Sequence, residues 1–88
     1  MTTVYKYILP VTDRSTLSMP HGARIIKAHM QRGSIALWAI IDTTVTHEPV
    51  RFHVYGTGHP MADTVGPYVG TVHDEQLGLV WHIFKVQP

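Results

Sequence analysis

The strongest constraint on the fold is the alternation on either side of Arg32-Gly33. Arg24–Gln31 and Ser34–Asp42 are two strand-like runs joined by these two residues, with glycine where a tight hairpin turn needs positive φ. Counting outward from the turn, Met30 meets Ile35, Ala28 meets Leu37 and Ile26 meets Ala39. Side chains alternate along a strand, so all six fall on one apolar face. The other face is mixed, pairing His29 with Ala36, Lys27 with Trp38 and Ile25 with Ile40. A slip of one residue would destroy this agreement, so the register is well specified.

A second hairpin is expected from Tyr68–His73 and Gly78–Val86, joined by Asp74-Glu75-Gln76-Leu77. Its expected register sets Val72 against Leu79, Tyr68 against Ile83 and Gly70 against Trp81, with the indole shielding a weak glycine position. Three further strands are read at Val4–Leu9, Thr16–Met19 and Arg51–Tyr55. In the last of these, Phe52 and Val54 face inward, and Arg51, His53 and Tyr55 face outward. Thr43–Val50 and Gly58–Pro67 are polar, carry proline or glycine, and read as loops. No window has a helical apolar stripe. The expected fold is therefore a single all-β domain, residues 1–88, a small antiparallel sandwich or partly open barrel of about six short strands.

Composition narrows the class. A chain of 88 residues without cysteine has a modest core and no disulfide or thiolate metal to staple it. Such domains often gain burial by association. Charged residues are 15% of the chain against 44% hydrophobic, which also favours a homo-oligomer. The alternative is a neutral surface rich in Thr, His and Gln. A net charge of +1 argues against binding to a nucleic-acid polymer. There is no signal-peptide pattern and no apolar run long enough to span a membrane, so a cytoplasmic location is expected.

Candidate binding residues cluster unevenly. Lys6, Arg24, Lys27, Arg51 and Lys85 fall in expected strands, whereas Asp13, Glu48, Asp63, Asp74 and Glu75 fall in turns. Cations on a rigid sheet suit a preorganised anion site; equally, they can snorkel from strand edges. Arg51, His53 and Tyr55 share one strand face that runs into Gly56-Thr57-Gly58-His59. Two glycines spaced this way allow backbone N–H groups to converge on an anion, with Thr57 and His59 as further donors. The plainer reading is a tight turn. Trp38 beside Lys27 is a second candidate, since an indole and a cation can hold a base and a phosphate, or hold each other.

Seven histidines are present, at 21, 29, 47, 53, 59, 73 and 82. None has the spacing of a metal site; His53 and His59 come closest, across a turn. No cofactor motif or nucleophile motif occurs, and the loop is not a nucleotide-binding P-loop. His53 or His59 as a general base would have few carboxylates to orient it.

The segments Tyr5-Lys6-Tyr7-Ile8-Leu9-Pro10, Leu37-Trp38-Ala39-Ile40-Ile41-Asp42, Gly56-Thr57-Gly58-His59-Pro60 and Leu79-Val80-Trp81-His82-Ile83-Phe84 resemble a family of small uncharacterised phage and prophage proteins. So do Met19-Pro20-His21-Gly22-Ala23 and Tyr68-Val69-Gly70-Thr71. The resemblance implies a phage context, in which small oligomeric sponge proteins sequester nucleotide immune signals. That role is an analogy. On it, the chain is expected to bind a cyclic ADP-ribose isomer or cyclic dinucleotide without turnover, using Arg24, Lys27, Trp38, Arg51, His53, Tyr55, Gly56, Thr57, Gly58 and His59. The alternative is a protein–protein inhibitor or interaction module acting on a host protein. A third reading is a small nucleotide hydrolase.

Overall fold

The computed structural model describes residues 1–86. It is all-β, with seven strands: β1 (Thr2–Leu9), β2 (Arg14–Pro20), β3 (Arg24–Gln31), β4 (Ser34–Asp42), β5 (His47–Gly56), β6 (Tyr68–Asp74) and β7 (Leu79–Lys85). They form two antiparallel sheets, one ordered β1-β4-β3 and the other β2-β5-β7-β6. The architecture is a sandwich and not a closed barrel. The expected count of about six is one short, because each segment named above is a separate strand. No helix among the described residues is long and apolar enough to cross a membrane.

The core lies between the sheets. Ile35, Leu37, Ala39 and Ile41 of β4 alternate inward and pack with Leu9, Met19, Phe52, Val54, Val72 and Ile83. Every strand except β3 supplies a fully buried residue to this cluster; β3 contributes the half-buried Ile25, Ala28 and Met30.

The first hairpin has its expected ends and, from Gln31 back to Lys27, its expected register. Arg32 and Gly33 adopt φ of 52° and 81°, the left-handed pair of a type I′ turn. Beyond Lys27 the expectation fails. A bulge at Ile26 shifts the ladder, so Ala39 opposes Ile25 and Ile40 opposes Arg24. Ile26 is consequently exposed, and Ile25 turns inward in its place.

The second hairpin is displaced by two residues from the expected pairing. Val72 opposes Trp81, and Gly70 opposes Ile83, not Trp81. The reason is Gly78, whose φ of 67° puts it in the turn, so that Leu79 starts the strand opposite Asp74. An even shift keeps each side chain on its face. A bulge at Val69 then sends Tyr68 outward, opposite Phe84.

Both bulges lie on strands that meet at one corner, where β3 contacts β6. Bulges bend a strand and sharpen its twist, which brings the sheets together there. Gly70 belongs to that contact: a Cβ on it would sit 3.2 Å from the Cβ of Ala28.

β5 is longer than expected and takes in Glu48-Pro49, which reads as loop in the sequence. Pro49 is tolerated because this half of β5 pairs only with β2, while β7 pairs with Phe52–Gly56. The missing N–H faces the side without a neighbour.

Candidate functional site

The outer face of the four-stranded sheet carries a continuous set of polar and aromatic side chains. On β5, Arg51 is exposed and His53 and Tyr55 are half-buried, alternating with the buried Phe52 and Val54. Strand pairing sets Arg14 opposite His53, His53 opposite Phe84, and Phe84 opposite Tyr68, giving one row across all four strands. In the neighbouring row, His82 lies between Tyr55 and Thr71.

These rings meet edge to face. Centroids are 5.6 Å apart for His53 and Tyr55, 6.0 Å for Tyr55 and Phe84, and 5.6 Å for Phe84 and Tyr68. His53 Nδ1 and the Tyr55 hydroxyl share a 2.8 Å hydrogen bond. A second chain of bonds fixes the other row. The Thr57 hydroxyl is 2.8 Å from His82 Nε2, the Thr71 hydroxyl is 3.1 Å from His82 Nδ1, and the Tyr68 hydroxyl is 2.7 Å from Thr71 Oγ1. Both nitrogens of His82 are thereby held. The platform is thus held by its own contacts, the kind of fixed geometry that a precise site requires.

At one end of the platform lies a cleft of about 420 Å³, lined chiefly by Asp13, Arg14, His53, Tyr55, His59 and Pro60. The start of β2 gives one wall, β5 the floor, and the 57–67 loop the other wall. His59 is positioned by two neighbours. Its ring lies 6.2 Å from that of Trp81, and directly over Gly56, where a Cβ would come within 2.6 Å of Cε1. Glycine at 56 is therefore what lets the imidazole fold down.

The Gly56–Gly58 loop does not form the expected anion nest. His59 N–H donates to the Gly56 carbonyl at 3.0 Å, and Thr57 N–H donates to the Val80 carbonyl at 3.2 Å. With Gly58 at φ 84°, residues 56–59 make a tight turn of type II form. The Thr57 and His59 N–H groups are thus spent on the backbone, and the Thr57 hydroxyl is occupied by His82.

The ten expected site residues fall into two groups. His53, Tyr55 and His59 line the cleft; Arg51, Gly56, Thr57 and Gly58 adjoin it on the same strand and turn. Lys27, Trp38 and Arg24 belong to the other sheet and face away from the core. Lys27 Nζ sits 5.6 Å from the Trp38 ring centroid, so this pair holds itself. Two outer faces of a sandwich look in opposite directions, and no single small ligand spans them.

Asp13 and Arg14 are the cleft residues that sequence reasoning misses. Arg14 reaches His53 only through the β2–β5 ladder, a pairing between distant segments. The one available signal was a cation placed directly ahead of the Thr16–Met19 strand. Among the described residues no group of three or more His, Cys, Asp or Glu can hold a metal. The one histidine–carboxylate pair among them, His21 with Glu48 at 3.1 Å, is exposed and lies outside the cleft.

The fold and site define a small β-sandwich with an aromatic platform on one face and, at its rim, a polar cleft that holds one cation, Arg14, and one acid, Asp13. The chain belongs to a family described as a domain of unknown function, DUF7352, whose model matches residues 1–88. No curated protein and no solved structure matches it.

Proposed function

We propose that this protein is a nonenzymatic binder that sequesters a small nucleotide-derived ligand in the His53–Tyr55–His59 cleft. The observation that carries the reading is the meeting of Arg14 with ordered rings in a cavity of about 420 Å³, a volume in the range of small-molecule sites, roughly 300–1,000 Å³. The Arg14 guanidinium suits a phosphate, which it can grip with two N–H groups. The faces of Tyr55 and His53 suit a base, at about 1–3 kcal/mol for a stacked base. Asp13 can accept hydrogen bonds from a ribose or an exocyclic amine. On the resemblance to phage proteins, the ligand is an immune signal such as a cyclic ADP-ribose isomer or cyclic dinucleotide, and holding it without turnover is the protein's action.

A thermal-shift screen against a panel of such nucleotides tests this. A true ligand at 100 times its Kd stabilises the fold by about 2.7 kcal/mol. Arg14→Ala should abolish the shift and leave the unliganded melting curve nearly unchanged; Tyr55→Ala should abolish it as well and also lower the unliganded Tm, because it removes the ring's contacts with His53 and Phe84. The ligand recovered after heat denaturation should be chemically intact; a cleaved product would instead identify a hydrolase. No shift with any nucleotide would remove the proposal. The second reading, an interaction module, draws on the exposed apolar side chains Val4, Ile8 and Ile26 of the three-stranded sheet. Stoichiometric capture of one host protein, with no nucleotide response, would favour it.

A further inference from the structure

An edge strand presents a row of unpaired N–H and C=O groups, and proteins ordinarily guard such edges. Three of the four edges here have visible guards. β3 and β6 lie against one another, and each is bulged. β2 ends in Pro20, which has no N–H, and near its start the Thr12 hydroxyl donates to the Arg14 carbonyl at 3.0 Å.

β1 is different. It is the last strand of its sheet, pairs with β4 without interruption from Thr2 to Leu9, and has no proline or bulge. Its one charged residue is Lys6, the kind of side chain that normally protects an edge. Lys6 does not do so. Its ammonium crosses β4 to donate to Gln31 Oε1 at 3.1 Å, on the far side of the sheet. Apolar and aromatic side chains stand open on both faces of the strand: Val4 is 48% exposed, Tyr5 50% and Ile8 49%.

We infer that β1 is a homodimer seam, pairing antiparallel with β1 of a second copy of this chain to join two three-stranded sheets into one of six strands. A two-fold axis through Tyr5 sets Tyr5 against Tyr5 of the second copy, Val4 against Lys6, Thr3 against Tyr7 and Thr2 against Ile8. Opposed residues in an antiparallel pair share a face, and this register respects that. It separates the two lysines, whereas moving the axis to Lys6 would oppose like charges, which destabilises a pair. It also sets Tyr5 against Tyr5, Thr3 against Tyr7 and Thr2 against Ile8, all pairs of residues that favour strand structure. A second copy is the occupant because β1 offers a hydrogen-bonding edge complementary to itself under two-fold symmetry, the usual form of an isologous dimer.

Sedimentation of the unmodified chain gives the first readout: twice the monomer mass at about 100 μM, falling to the monomer on dilution. Tyr5→Glu opposes two carboxylates at the axis and should weaken association at least tenfold, with unchanged circular dichroism. The chain has no cysteine, so an introduced thiol reports contact unambiguously. Residues directly opposed have Cα atoms about 4.5–5.5 Å apart, within disulfide reach, whereas like residues one position from the axis are roughly 8 Å apart, beyond it. Tyr5→Cys should therefore crosslink on oxidation and Lys6→Cys should not. A chain that sediments as a monomer at 100 μM, or a dimer that Tyr5→Glu leaves intact, would overturn the inference. Equal crosslinking by the two cysteine variants would overturn the register. None of these readouts depends on the nucleotide ligand.

Discussion

At the scale of single residues, Gly56 links backbone to site. Its φ is not in the left-handed region, so alanine is acceptable to the backbone; the obstacle is the His59 ring, 2.6 Å from where an added Cβ would lie. That ring is the exposed end of a side chain, and it can swing away at little cost. Gly56→Ala should thus melt within a few degrees of the parent while losing one wall of the cleft. Trp81, which the imidazole covers, should become more accessible to iodide quenching in a Trp38→Phe background. Unchanged quenching would show that His59 does not depend on this glycine. Trp81 is also the one described residue whose buried side-chain nitrogen has no hydrogen-bond partner, and the edge-to-face imidazole is its nearest aromatic neighbour in the structure.

At the scale of elements, the β3–β4 turn stores a small strain. Arg32 occupies φ 52°, a region that costs an ordinary residue about 1–2 kcal/mol and asparagine less. Arg32→Asn should raise stability by about 0.5–1 kcal/mol, or roughly 3–6 °C in Tm for a domain of this size. A Tm that falls would mean that the arginine side chain makes a contribution larger than its backbone strain. The strength of this turn signal explains why β3 and β4 were legible in the sequence to their last residues. Face assignment was legible wherever alternation was unbroken, as in Phe52 and Val54 against Arg51, His53 and Tyr55. The bulges at Ile26 and Val69 were not, because an inserted residue leaves no mark that distinguishes it from continued alternation. The second hairpin slipped because Gly78 reads equally well as strand or turn until its φ is known. The candidate site was half legible. One strand holds His53 and Tyr55 in a local pattern, but Asp13 and Arg14 join them only through a non-local ladder, and no local pattern marks which sheet holds Trp38.

At the scale of the molecule, stability rests on a thin core. A chain of 88 residues should have about 4–13 kcal/mol in total. Phe52 is fully buried and packs at the centre of the four-stranded sheet's inner face. Phe52→Ala should cost about 3–5 kcal/mol, a large part of the whole, and move the urea midpoint down by roughly a fifth or more at fixed protein concentration. A midpoint shifted by less than a tenth would mean that the core collapses around the loss. The division of the sandwich into two sheets has a different kind of consequence. The platform around Tyr55 and the margin formed by β1 have no residue in common and sit on separate layers. Sequence drift in one can therefore proceed without disturbing the other; on the ligand site and seam proposed above, a lineage would be free to change its ligand while keeping the same mode of self-pairing.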